Sequence, residues 1–160
     1  MTITSALEQI RGAERVEKRA ISAPAALNEA PQYGSSFSRG LRIDLNGLAI
    51  LLISGTASVD EYGNTVHRGD FRGQCRRTYR NITALLAAEG ATWKDVVRTT
   101  CYLRDIERDY AAFNEERTAF FRQQSLDPLP ASTGIQAILC RPDLLVEIEA
   151  IAMFIPAREE

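Results

Sequence analysis

The sequence predicts an α+β domain: a mixed sheet with two long helices packed on one face. Three observations carry this expectation. Asn46-Gly47 lies between two apolar runs, the strongest short hairpin signal. Apolar residues recur at helical spacing in two separate stretches, Phe71 to Leu86 and Tyr110 to Phe121. Branched apolar runs at Val96 to Leu103 and Val146 to Phe154 follow these stretches and read as strands.

Taken in order, residues from about Thr4 to Ala13 suit a short helix, and Val16 to Ile21 a strand. Pro24, Asn28, Pro31 and Gly34 mark a loop. Phe37 to Ile43 alternates and pairs through the Asn46-Gly47 turn with Leu48 to Ser54. That second run is so continuously apolar that a central strand buried on both faces is expected. Asp70 is an N-cap for the first long helix, which Gly90 ends. The second helix runs from about Glu107 to Arg122, with Tyr110, Phe113, Phe120 and Phe121 on its inner side. Strands near Ile135 to Cys140 and Val146 to Phe154 are expected to close the chain as a hairpin.

A chain of 160 residues is long enough for one domain with its own core. A net charge of -2 offers no electrostatic basis for nucleic acid or anionic membrane. No apolar run is long enough to span a bilayer, and the first residues lack a secretory h-region, so a cytoplasmic protein is expected. Cys75, Cys101 and Cys140 are odd in number and widely spaced, which favours free thiols. With one histidine and no Cys-x-x-Cys, neither a metal nor a cofactor is expected. His67 falls in a turn-rich segment without a nucleophile elbow, and no glycine-rich phosphate loop joins a strand to a helix.

The last strand carries the most chemistry. Period-2 geometry places Glu147, Glu149, Ile151 and Met153 on one face and Val146, Ile148, Ala150 and Ala152 on the other. Two carboxylates on one face of an apolar strand belong either to a solvated edge or to a site that binds something. Ser54-Gly55-Thr56 offers hydroxyls and close backbone approach, or a simple strand exit. Asn114 beside Phe113 is a partly buried amide that orients either a ligand or a loop. Ser132-Thr133-Gly134 could grip a polar ligand while Glu147 moves protons.

In combination, these residues resemble the RidA (YjgF, perchloric-acid-soluble protein) family. The matching elements are Ile53-Ser54-Gly55, Gly69-Asp70 with Gln74 and Asn81-Ile82, and Asp95 to Thr100. They continue with Phe113-Asn114, Phe120-Phe121, Pro130-Ala131 and Val146 to Ala152. The resemblance covers a domain at residues 36–156, with 1–35 as an N-terminal extension. It implies a chorismate-mutase-like fold and a homotrimer with small-metabolite clefts between subunits, where enamines and imines are hydrolysed. It also implies roles for Glu147 in positioning or activating water, and for Ser54, Gly55, Asn114, Ser132, Thr133 and Gly134 in lining the cleft. Phe37 stands where a cleft tyrosine is usual. A more distant similarity, to the C-terminal half of chorismatases, rests on Ile53 to Ser58, Val66 to Asp70 and Leu144 to Ala150, and again points to Glu147.

One departure stands out. The family arginine that binds a substrate carboxylate is replaced by Ser132. Losing such a charge-assisted fork costs about 2–5 kcal/mol, so the sequence predicts a neutral subsite there and ligands without a carboxylate at that point. Arg39 and Arg104 are the other arginines within possible reach of the cleft, but sequence spacing does not place them there and solvation is the expected fate of each. Three functions follow as expectations: a hydrolase of small imines, enamines or enol ethers using Glu147, a metabolite-binding trimer without turnover, and an endoribonuclease or translation inhibitor. The acidic balance disfavours the last.

Overall fold

Asn46 and Gly47 take φ values of 50° and 82°, the left-handed pair that a tight hairpin of twisted strands requires. In the computed structural model, which describes residues 16–157, they fold β2 (Gly40–Leu45) against β3 (Leu48–Ala57). The other strands are β1 (Glu17–Ile21), β4 (Val96–Leu103), β5 (Ala131–Gln136) and β6 (Val146–Phe154). All belong to one six-stranded sheet of order β1-β2-β3-β6-β4-β5. Every pair is antiparallel except β4 and β5. Two helices, α1 (Phe71–Ala87) and α2 (Ile106–Gln123), pack on one face, as expected. The expected helix at 4–13 lies outside the described residues.

Helix starts follow local chemistry. The Asp70 carboxylate accepts from the Gly73 N–H at 2.9 Å, and Asp105 accepts from the Arg108 N–H at 3.0 Å. Between helices and sheet lies an aromatic cluster. Tyr79 stacks on Phe120 with centroids 4.5 Å apart, Trp93 meets both edge-on, and the Trp93 indole N–H donates to Thr83 Oγ1 at 2.8 Å.

Several expectations need correction. The closing strands do not form a hairpin, and the fifth strand lies earlier, at Ala131–Gln136, fully exposed at the sheet edge. It runs parallel to β4, a geometry that needs a crossover, which α2 supplies. Ser132-Thr133-Gly134 therefore lies within a strand, ahead of the Ile135 to Cys140 run expected to form it. The strand β3 is buried on one face only: Ala49, Leu51 and Ile53 face the helices, while Leu52 keeps 39% of its surface exposed. Of the two alternatives left open for β6, the solvated edge is excluded: the strand is central, paired with β3 on one side and β4 on the other. Tyr110 is not an inner residue but 46% exposed, because it lies over the edge strand, where a Cβ on Gly134 would meet its ring at 3.7 Å. Part of the expected extension joins the fold, since β1 pairs with β2 and Ile21, Leu27 and Ala30 are fully buried.

Two buried amides on α1 hold the strands that matter below. Gln74 donates to the Asp143 carbonyl and accepts from the Leu145 N–H, both at 2.8 Å, and so fixes the entry into β6. Asn81 donates to the carbonyls of Ala57 (3.0 Å) and Val59 (2.9 Å) at the exit of β3. Replacing Gln74 by Leu leaves a buried N–H and a buried carbonyl unpaired, so Gln74→Leu is expected to lower unfolding free energy by about 1–3 kcal/mol. Urea denaturation measures it; an unchanged midpoint would show that this clamp is dispensable.

Candidate active site

Alternation along β6 places Val146, Ile148, Ala150 and Ala152 in the core and Glu147 and Glu149 on the face away from the helices. The register of β3 against β6 shifts between Ile53 and Thr56, a bulge centred on Ser54-Gly55. The Ser54 N–H donates to the Arg39 carbonyl at 3.1 Å, and its hydroxyl donates to the Ser38 carbonyl at 2.7 Å. The bulge opens a space that the Glu147 carboxyl fills. A Cβ built on Gly55 would overlap Glu147 Oε1 and stand 3.0 Å from Cδ, so glycine is required by proximity rather than by φ.

Glu147 faces a cleft of about 130 Å³ lined by Tyr33, Phe37, Arg39, Gly55, Cys140 and Arg141, among others. Its carboxyl accepts no hydrogen bond from any described residue. Burial raises its pKa, the Glu149 charge raises it further, and Arg39 opposes the rise. Glu149 is engaged differently, accepting from the Tyr102 hydroxyl at 3.2 Å.

Arg39 is buried, not solvated as the sequence suggested. Its Nε donates to the Asn28 carbonyl at 2.7 Å and its Nη2 to Asn28 Oδ1 at 2.9 Å. Its guanidinium lies 5.5 Å from the Tyr33 ring centre and 5.6 Å from that of Phe37, and Arg141 lies over the same Tyr33 ring at 5.5 Å. Arg104 is committed to the carbonyls of Leu144 and Arg141, both at 2.6 Å. Tyr33 and Arg141 were missed in the sequence because a turn-rich loop and an arginine before proline give no periodic signal.

Of the residues expected to form a site, one protomer brings Phe37 and Gly55 to Glu147, with the Ser54 backbone beside them. Asn114 and Ser132 form a second group, joined through Arg117. The Arg117 Nη2 donates to Asn114 Oδ1, and Nη1 donates to Ser132 Oγ at 3.2 Å. Ser132 pairs in register with Thr99, buried on the helix side, whereas Thr133 faces the opposite side and accepts from Arg98 at 2.9 Å. The expectation of a neutral subsite at Ser132 is therefore not met: a guanidinium lies against its hydroxyl. The signal was present, since Arg117 follows Asn114 by three residues and Phe113 by four on one helix.

A helix-backed sheet with a carboxyl unpaired among the described residues at a bulge, and a polar cluster beside the second helix, defines an α+β protein of the YjgF type. The sequence model of the family described as Endoribonuclease L-PSP matches residues 28–154, and the chain belongs to this RidA/YjgF family. It is 29% identical to a RutC family protein of Pyrococcus abyssi over 124 residues, covering 78% of this chain and 91% of that protein. It is 34% identical over 103 residues to the 3-aminoacrylate deaminase RutC of Acinetobacter baylyi, covering 64% of this chain and 78% of that protein. The fold is similar to the crystal structure of the Escherichia coli YjgF gene product, with TM-score 0.69, 27% identity and coverage of 84% and 97%. It is equally similar, by the same TM-score and coverage at 25% identity, to E. coli TdcF with bound serine.

The raised pKa of Glu147 has a consequence for stability. The folded state binds more protons than the unfolded chain between the ordinary glutamate value and the raised one. Stability from this group is complete below the ordinary value and lost as pH rises through the folded one. Glu147→Gln is thus expected to raise the melting temperature at neutral pH, with the gain vanishing below the ordinary carboxylate range. Thermal melts across that range decide it, and a gain independent of pH would exclude a titrating origin.

Proposed function

We propose that this protein hydrolyses small enamines or imines, with Glu147 as the proton-transfer group. The observation that carries the reading is a half-buried carboxyl, raised in pKa and free of hydrogen bonds from the described residues, held against Gly55 at a bulge. Such a group lends itself to both directions of proton traffic. Protonated, it delivers a proton to the enamine carbon and generates an iminium ion. Ionised, it takes a proton from water as the oxygen attacks the iminium carbon. The resulting carbinolamine collapses to a carbonyl with loss of ammonia, so one water is consumed for each ammonia released. The relative named as a 3-aminoacrylate deaminase supports this class of chemistry. The net charge of -2 argues against a phosphate-backbone substrate.

The reading includes assembly as a homotrimer with clefts between protomers. Its support is the open face of the sheet, where strand register places Leu41, Ile43, Ile50, Leu52, Ile151 and Met153 together. A contiguous apolar surface of this kind is uncommon on a monomer. A threefold contact also allows Glu147 of one protomer to meet Asn114 and Ser132 of the next.

Ammonia release from a panel of small enamines tests the chemistry. Glu147→Gln is expected to lower kcat by about 10²–10⁴-fold, and Gly55→Ala to lower it too by displacing the carboxyl. Full activity in Glu147→Gln, or binding without any turnover in the wild type, sinks the reading. Sedimentation equilibrium tests the assembly: a mass three times that of the chain is expected, and a clean monomer would refute it.

A further inference from the structure

The cluster at Ser132 borders a groove of about 720 Å³ between α2 and the segment that leads into β5. Its apolar wall is Phe121, Leu126, Leu129 and Pro130, and Arg117 and Ser132 also line it. Leu129 is 64% exposed, an apolar side chain left open toward this space. The size is that of a cavity for a small organic ligand.

Arg117 itself is half-buried and has no carboxylate partner among the described residues. Its guanidinium is held rather than loose. It lies 5.0 Å from the Phe113 ring centre, with Asn114 Oδ1 and Ser132 Oγ as acceptors. Ser132 is in turn steadied by the Thr99 hydroxyl, which donates to it at 3.1 Å. Two of the five guanidinium N–H donors are used by these contacts, and the rest, with the full charge, remain available. The groove's other charged residues are Arg122 and Asp127, so its net balance with Arg117 is positive. A fixed, uncompensated cation beside an apolar channel matches one chemistry: a carboxylate with an apolar chain.

We propose that Arg117 holds the carboxylate of the ligand and that the adjoining groove of Phe121, Leu126, Leu129 and Pro130 takes its apolar chain. The ligand class is therefore an aliphatic or aromatic carboxylic acid larger than a three-carbon one. The relevance of this to substrate choice rests on the hydrolase reading above; the binding itself does not. The arginine that the strand lacks at position 132 is replaced from α2, and the smaller serine leaves room for that replacement.

Calorimetric titration of wild type, Arg117→Met, Arg117→Lys and Glu147→Gln with a series of linear 2-oxo acids, from pyruvate to 2-oxooctanoate, provides the test, with the amide of 2-oxohexanoate as a neutral control. In the wild type, affinity is expected to rise about fourfold per methylene as the chain enters the groove, the fold-change that burial of one CH₂ gives. Arg117→Met is expected to weaken the acids at least tenfold without changing the amide, and Arg117→Lys to recover part of the loss. Equal affinity for acids in wild type and Arg117→Met, or affinity that is flat with chain length, overturns the proposal. Acid binding by Glu147→Gln equal to wild type supports it even where no hydrolysis is detected, so the two readings fail separately.

Discussion

Everything at the site depends on the position of β6 between β3 and β4. A central strand with strict alternation must give one face to the core, and Val146, Ile148, Ala150 and Ala152 take it. Glu147 and Glu149 then have to stand on the other face, part-buried among apolar neighbours. Their different environments follow from their partners. Glu149 accepts from Tyr102, while Glu147 accepts no hydrogen bond from the described residues and stands against Gly55 in a cleft that Tyr33, Phe37, Arg39 and Arg141 also line. The same strand therefore carries one hydrogen-bonded carboxylate and one without a hydrogen-bond donor among the described residues.

Rigidity around that carboxyl comes from the helix side. Gln74 and Asn81 occupy buried positions on α1 and spend their amides on backbone groups of the β6 entry and the β3 exit. Buried polar groups of this kind are costly unless every bond is made, which ties helix position to strand position. The bulge at Ser54-Gly55 is held equally firmly by the Arg39 and Ser38 carbonyls. The carboxyl is thereby raised in pKa on a frame that does not yield to relieve it.

Cationic groups are distributed in two places with different partners. Arg39 and Arg141 bracket Tyr33 beside Glu147, and Arg39 tempers the carboxyl's preference for the protonated form. Arg117 is anchored by Phe113, Asn114 and Ser132 on the other side of the sheet, with an apolar groove alongside. One protomer does not join the two groups, so the proposed assembly would decide whether they act on one ligand.

Much of the architecture could be read from residue order alone. The Asn46-Gly47 turn, the Asp70 cap, the helical spacing of α1 and α2 and the alternation of β6 are local rules, enforced by backbone geometry and burial. They were enough to place Glu147 opposite the core and Gly55 on the strand that ends beside it. What they could not decide was non-local. Whether β5 pairs with β4 or β6 depends on the crossover made by α2, and that pairing splits Ser132 from Thr133 and turns the serine under the helix. Burial of Arg39 depends on a loop carbonyl 11 residues earlier in the chain. The nearness of Arg117 to Ser132 joins residues 15 apart on a helix and an edge strand. Charge placement of this sort is set by how packed elements meet, so the chain disclosed its catalytic carboxyl candidate while only the fold showed where the cations stand.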